Sequence, residues 1–389
     1  MMKKFLLSIL LSLGLTSLFS QDATFTLIDH NPLSTNPAYA LPGNGQYQFL
    51  SLSRQQWWNL PGANAISAAY HMNQASFLSP IISKPDNGLG IGVQLNRNAS
   101  GEGKLAMTDA NFFTASRLGW KVNRRRVDIG AGVGIGLKQY TLDWEQLTFS
   151  SQLDPFYGLT NSIPLVNPMQ GSSSLAVSGS FGLKGSFTTQ IWRRTLSLKS
   201  GGAIYHLNKP GISFFDQTER INPRYSAHGS VILFPQNKSG LVGNVASTYY
   251  IFRHNYQHQF PLSTHETRLG TNLNGVLTVY GGFRRRLFHV GNESIDAILW
   301  SMQINAPGMI ISVAYDFTVS DLNIQRTRGT TEIGITIPLG TRGNIKARRA
   351  SEPCYVDYLL THSEWKAVEQ FNKASTDWGR EYAPVTFIL

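Results

Sequence analysis

The chain has a single cysteine, Cys354, in 389 residues, so no intramolecular disulfide framework holds its fold. Charge is scarce too, at 15% against roughly 25% in soluble domains. Beyond residue 20 no window supplies about 18 consecutive apolar residues, which excludes a transmembrane helix. Asp and Glu together number only 23 and mostly fall in loop-like stretches, as Asp143, Glu145 and Asp154 do. No GxSxG element is present, so the usual signature of a nucleophile elbow is missing. Without an activated nucleophile or an acid-base pair, the residues point to a scaffold or conduit with no cofactor, not to an enzyme.

What is present gives the chain an address. Residues 1–20 read MMKKFLLSILLSLGLTSLFS, a Lys pair, an apolar run and small residues before Gln21-Asp22. That is the pattern of a secretory signal peptide, cleaved near Ser20. A lipoprotein needs a cysteine just after the apolar run, and none stands there. An exported chain with sparse charge, 36 glycines, 11% aromatics and no helical span fits one class: an antiparallel transmembrane β-barrel in an outer membrane.

Period-two alternation supports that class, because lipid-facing and lumen-facing residues take turns along a barrel strand. In IGAGVGIGL, Ile129, Ala131, Val133, Ile135 and Leu137 share one face and only glycine occupies the other. Leu89, Ile91 and Val93 repeat the pattern. Leu175, Val177, Phe181, Leu183 and Phe187 stand opposite Ala176, Ser178, Ser180, Lys184 and Ser186. Ile311, Val313, Tyr315 and Phe317 share a face, as do Ile333, Ile335 and Ile337. The spaced glycines imitate a dinucleotide fingerprint, but the alternation runs straight through them with no turn into a helix. They thin the lumen face instead, which leaves room for strand curvature or a plug.

Counting such runs gives about fourteen strands: 46–53, 64–71, 88–96, 107–118, 127–137, 174–187, 195–205, 227–234, 240–252, 265–271, 273–284, 295–304, 308–317 and 330–337. An even count puts both barrel ends on the periplasmic side. The long connections 138–173, 206–226, 253–264 and 318–329 are then external, and the short NRRR, QIWRR and NAP turns internal. Residues 72–87 are the exception, a sizeable inner segment. The expected organisation is a signal peptide at 1–20, a periplasmic or lumenal lead-in at 21–45, the barrel at 46–340 and a short mixed periplasmic extension at 341–389. In the extension HSEWKAVEQFNKA forms a short helix with Trp365, Val368 and Phe371 near one face.

The net charge of +11 does not mark a nucleic-acid binder, since an exported chain meets none. The basic bursts Arg124–Arg126, Arg193–Arg194 and Arg284–Arg286 are placed in turns at the barrel rim, facing anionic lipid headgroups. His254, His258 and His265 are the only local histidine cluster; on a strand or loop they are not gathered on one face as on a helix, so a solvated loop outweighs a metal site.

Two elements near the start carry a family likeness. Asn31, Pro32, Asn36, Pro37, Ala38 and Tyr39 form an NP...NPA entry motif, and Arg54, Gln56, Trp57, Pro61 and Gly62 form an R.QW..LPG element. With GLGIGVQLNRNASGEG, LDWEQLTFSSQLDPF and YHLNKP, the chain from about 21 to 338 resembles the PorP/SprF family of type IX secretion and gliding-associated outer-membrane proteins. It departs from that pattern at Leu41, where glycine is usual, and at Pro338, where an aromatic is usual. The tail from about 341 has no counterpart in shorter members. The resemblance implies a non-enzymatic barrel that binds or anchors a secreted cargo, such as an adhesin bearing a type IX sorting domain, above periplasmic secretion or gliding components. It marks the eleven motif residues as partner-binding candidates. The alternative is an outer-membrane channel for small solutes. Irregular, Pro-rich backbone at membrane depth is tolerated only inside protein or a water-filled cavity, which places residues 31–43 in or below the lumen and RQQWW at the first outer hairpin. There Trp57 and Trp58 serve equally well as aromatic-belt anchors.

Overall fold

The computed structural model describes residues 22–43, 46–57, 70–84, 86–101, 105–122, 125–143, 153–154, 158–159, 173–191, 194–212, 220–234, 249–273, 276–288, 293–306, 308–320 and 327–341. Fourteen antiparallel strands close into a barrel. They are β1 (Gln46–Gln56), β2 (Tyr70–Ser83), β3 (Asn87–Ser100), β4 (Leu105–Val122), β5 (Arg125–Thr141), β8 (Ser173–Ile191), β9 (Arg194–Tyr205), β10 (Arg224–Phe234), β11 (Tyr249–Gln259), β12 (Leu262–Leu273), β13 (Leu277–Phe288), β14 (Glu293–Ala306), β15 (Met309–Thr318) and β16 (Thr330–Thr341). A two-residue ladder, β6 (Leu153–Asp154) with β7 (Gly158–Leu159), lies in the connection between β5 and β8. β1 pairs with β16, Gln46 facing Thr341. Both barrel ends therefore lie at one rim, called here the terminal rim.

Alternation sorts the side chains as the period-two pattern predicts. Ile129, Val133, Ile135, Leu137, Leu175, Val177, Phe181, Leu183, Phe317 and Ile333 point outward and exposed, while Ala176, Ser178, Ser180, Asp316 and Glu332 are buried. An apolar outside and a polar inside is the arrangement of a barrel in lipid.

Three sequence expectations change. β2 starts at Tyr70 and runs to Ser83, so 72–87 is a strand and a short turn, not an inner segment. Pro80 disguised it: the register shifts between Pro80 and Ile82, and a bulge is where a strand tolerates proline. Residues 253–264 are not an outer loop either. β11 and β12 continue through them and turn at Phe260-Pro261; the polar HNYQHQ is a strand with Arg253, Asn255, Gln257 and Gln259 on the lumen side. Finally, Arg284–Arg286 are not in a turn. They lie within β13, with Arg284 buried in the lumen. Arg126 is buried there too, against Asp128 at 2.7 Å. In those positions the guanidinium groups meet carboxylates, not headgroups. The expected helix at HSEWKAVEQFNKA lies outside the described residues.

Candidate functional site: the plugged lumen and its vestibule

Residues 22–43 run inside the barrel, from the rim opposite the terminal rim down to the start of β1. Two Asn-Pro pairs shape this plug. Proline restricts the residue before it to extended backbone and suits the first position of a helical turn. Asn31 and Asn36 thus each precede one turn, Pro32–Thr35 and Pro37–Ala40. The Asn36 side chain accepts from Ala38 N at 2.9 Å and donates to the carbonyls of Leu183 (2.8 Å) and Gly202 (3.2 Å). It closes a turn and ties it to the wall. Asn36→Ala leaves those groups unpaired, and is expected to weaken plug seating by about 1–3 kcal/mol, measured as faster proteolysis of the N-terminal segment in the folded barrel.

Wall glycines admit the plug. A Cβ at Gly132 would strike the Pro37–Ala38 backbone, at Gly182 the Asn36 side chain, at Gly90 the backbone of Ala40 and Leu41, and at Gly334 the His30 ring. The glycine face of β3 and β5 is the seat of the plug. Leu41, unusual at its motif position, fills the hollow over Gly88 and Gly90. Leu33 and Leu41 join Leu50, Leu78 and Phe113 in an apolar core, each leucine contributing about 1.5–3 kcal/mol relative to a water-filled lumen. Tyr39 donates or accepts at His228 Nε2 (2.8 Å) and carries Lys184 over its ring at 4.6 Å.

Above that core lies a buried charge network. Arg54 pairs with Glu332 and, at 3.3 Å, with Asp316. Arg284 pairs with Asp316 (2.9 Å) and Glu266 (3.2 Å), and Arg268 with Glu266 (3.0 Å). Three cations meet three anions, as burial of charge demands. The plug completes them. Thr26 N and Leu27 N donate to the Glu332 carboxylate at 2.8 and 2.7 Å. The Thr26 hydroxyl donates to Asp316 at 2.8 Å and accepts from Arg284 at 2.6 Å. Lower down, Asp29 pairs with Arg253, and His30 bridges Ser312 (2.7 Å) and Thr336 (2.9 Å). Gln94 donates to the Asn31 side chain at 2.9 Å.

Asp22 is the uppermost fastening. Its carboxylate meets Lys138 (3.1 Å), His206 (2.7 Å) and Arg224 (3.2 Å), and its N–H donates to Gln259 at 2.7 Å. Burial alone would raise the Asp22 and Asp29 carboxyls. His206, Lys138 and Arg224 around the first, and Arg253 beside the second, outweigh it and hold both below the usual carboxylate range. Ser178 meets the other nitrogen of His206 at 2.7 Å, giving a Ser-His-Asp string. The cavity beside it is about 40 Å³, water-sized, and the string fastens the plug.

Burial pushes His30 down to about 4, with the Asp29 carboxylate opposing. The seated ring is neutral, whereas a released one titrates near roughly 6.5. The released state thus binds the extra proton, and seating weakens as pH falls from roughly 6.5 toward 4, by up to about tenfold per pH unit. Protease sensitivity of the plug measured across that range checks the sign.

At the opposite rim, above Asp22, opens a cavity of about 600 Å³ walled by Gln56, Trp57, Tyr70, Tyr140, Gln259 and Arg286. Trp57 holds φ 61°, a left-handed conformation costing an L-residue roughly 1–2 kcal/mol. Its N–H to Gly329 O at 3.0 Å and its edge-on contact with Tyr70 at 5.2 Å hold it there.

The motif residues therefore divide. Asn31, Pro32, Asn36, Pro37, Ala38 and Tyr39 are in the plug, Arg54 is in the charge network, and Gln56 and Trp57 wall the vestibule. Pro61 and Gly62 lie outside the described residues. His254, His258 and His265 sit on strands, facing outward among aromatics, with His254 and His265 rings 5.7 Å apart. Among the described residues no three His, Cys, Asp or Glu side chains are grouped to hold a metal ion. Sequence reasoning missed Asp22, Thr26, Lys138, Arg224, Asp316 and Glu332. For Lys138, Arg224, Asp316 and Glu332 the usable signal was isolated charge at lumen-facing strand positions.

Among solved structures the chain is similar to CdiB from Acinetobacter baumannii (7% identity, TM-score 0.39, 75% of this chain and 60% of that one). It is also similar to a Pseudomonas aeruginosa FadL homologue (12%, 0.36, 78% and 92%) and to the beta domain of the Bordetella autotransporter BrkA (10%, 0.31, 76% and 99%). The chain spans three fifths of the length of that CdiB. The barrel architecture stands on its own strand pairing. None of the curated proteins compared with it matches. The family described as type IX secretion system membrane protein PorP/SprF matches residues 17–337, most of the chain and the whole of the plug. The chain belongs to the PorP/SprF family and is a secretion-associated barrel of the outer membrane.

Proposed function

We propose that the barrel holds a secreted cargo protein at the cell surface, engaging it at the vestibule while the terminal rim faces the periplasm. In this reading the chain does no chemistry of its own. Residues 341–389 meet periplasmic secretion or motility components, and the exposed Arg125 and Arg194 at the terminal rim lie against anionic headgroups.

The observation that carries the reading is a lumen filled by the chain's own residues 22–43 beneath a roomy outer vestibule. A solute channel needs a continuous wet path, and a plug fastened by buried ion pairs favours a holder instead. The vestibule lining includes Trp57, Tyr70, Tyr140, Met72, Met107 and Arg286, the aromatic, Met and Arg types that protein interfaces favour, and a strained Trp57 is an outlier of the kind found at binding sites. Purification of the tagged chain from native membranes, with mass spectrometry of co-purifying proteins, tests it. A secreted cargo is expected with the wild type and depleted in Gln56→Ala/Trp57→Ala. An unchanged surface proteome after deletion of the gene counts against the reading.

A further inference from the structure

The Asp22 fastening differs from the others in its surroundings. Each group that receives the carboxylate has another partner fixing it. Lys138 lies 3.5 Å from Asp109. His206 is held by Ser178. Arg224 donates to the Ser34 carbonyl at 3.0 Å and lies over the Tyr205 ring at 4.0 Å. The receptor is thus organised independently of Asp22. With that carboxylate gone, Asp109 beside Lys138 is the one carboxylate left in ion-pair contact with the two cations among the described residues, leaving a buried excess of positive charge there that an anion would offset.

Asp22 is also the part of the plug that can leave alone. Asp22 and Ala23 line both the vestibule and the small cavity beneath it, forming the wall between them. Residues 22–25 have no regular structure, and the next attachments are Phe25, packed against Leu27, Leu52 and Ala314, and Thr26 on Glu332 and Asp316. Peeling the chain back to Phe25 joins the vestibule to the cations without disturbing the lower plug.

We propose that the floor of the vestibule is a receptor for a carboxylate on an extended acidic peptide, which enters from the opposite rim and takes the place of Asp22 on Lys138, His206 and Arg224. This rests on the cargo-holding reading and names the chemistry by which cargo is gripped. Asp22 acts as an internal competitor, so its removal strengthens binding.

The test uses the full chain in detergent and a fluorescently labelled peptide of alternating Ser and Asp, read by anisotropy. Asp22→Asn is expected to bind roughly tenfold or more tighter than wild type, as loss of a charged competitor implies. Asp22→Ser gives a second variant with the same expectation, and heat-modifiable gel mobility selects folded barrels. Arg224→Gln in the Asp22→Asn background should reverse the gain. C-terminal amidation separates the sources: retained binding assigns a side-chain carboxylate, and lost binding a chain terminus. Equal binding of the Ser-Asn peptide, or no gain in either folded Asp22 variant, overturns the proposal. Peptide binding without co-purifying cargo would sink the cargo reading and leave this site standing; cargo without peptide binding would do the reverse.

Discussion

Replacing Gly132 with valine drives residues 22–43 from their seat and gives the barrel a steady conductance. The inward hydrogen of Gly132 faces the Pro37–Ala38 peptide, and a Cβ there would overlap backbone atoms. A side-chain clash can relax by a rotamer change, but this one cannot. Pro37 is fixed in φ, and Asn36 ties the same turn to the carbonyls of β8 and β9. Overpacking typically costs about 1–3 kcal/mol, and a backbone clash belongs at or above the top of that range. Gly281→Val is the control, since nothing lies within 4 Å of a Cβ there. It should leave the lumen closed, while Gly132→Val passes current in planar bilayers.

The second large effect is on stability. Arg54 is 2% exposed and contacts Glu332 and Asp316, each at 2% or less. Arg54→Ala strips a cation from two buried carboxylates, which costs about 3–5 kcal/mol. Arg284 remains on Asp316, so Glu332 bears most of the loss. Glu332 also accepts the Thr26 and Leu27 N–H groups, so the loosened carboxylate weakens the upper plug as well. Arg54→Ala should therefore lower the temperature at which the folded band disappears on gels and raise plug proteolysis. The double change Arg54→Leu/Glu332→Leu should recover much of the barrel's stability, because an apolar pair avoids the unpaired charge. It should recover less of the plug's attachment, since Thr26 and Leu27 lose their acceptor.

The barrel was readable because its driving pattern is local. A residue and its second neighbour decide which face meets lipid, and IGAGVGIGL declares this in nine positions. β2 and the β11–β12 hairpin escaped because Pro80 hides a bulge and HNYQHQ is polar inside and aromatic outside. Irregular Asn-Pro backbone must hide from lipid, and the all-glycine face opposite Ile129 and Val133 leaves room for a segment to fill it. The fastenings were not legible. Thr26 and Glu332 stand 306 positions apart, and no local rule joins them. Arg54, Asp316 and Glu332 do announce themselves as charges at lumen parity, which predicts pairing without naming the partner.

The central claim is that the chain seals its own lumen. The most direct measurement is the current carried by the purified wild-type barrel in a planar bilayer at neutral pH. A plugged barrel predicts insertion events without a steady ohmic step, and the step appears only when the plug is unseated, as in Gly132→Val. A stable, reproducible open conductance from folded wild-type protein would contradict the account.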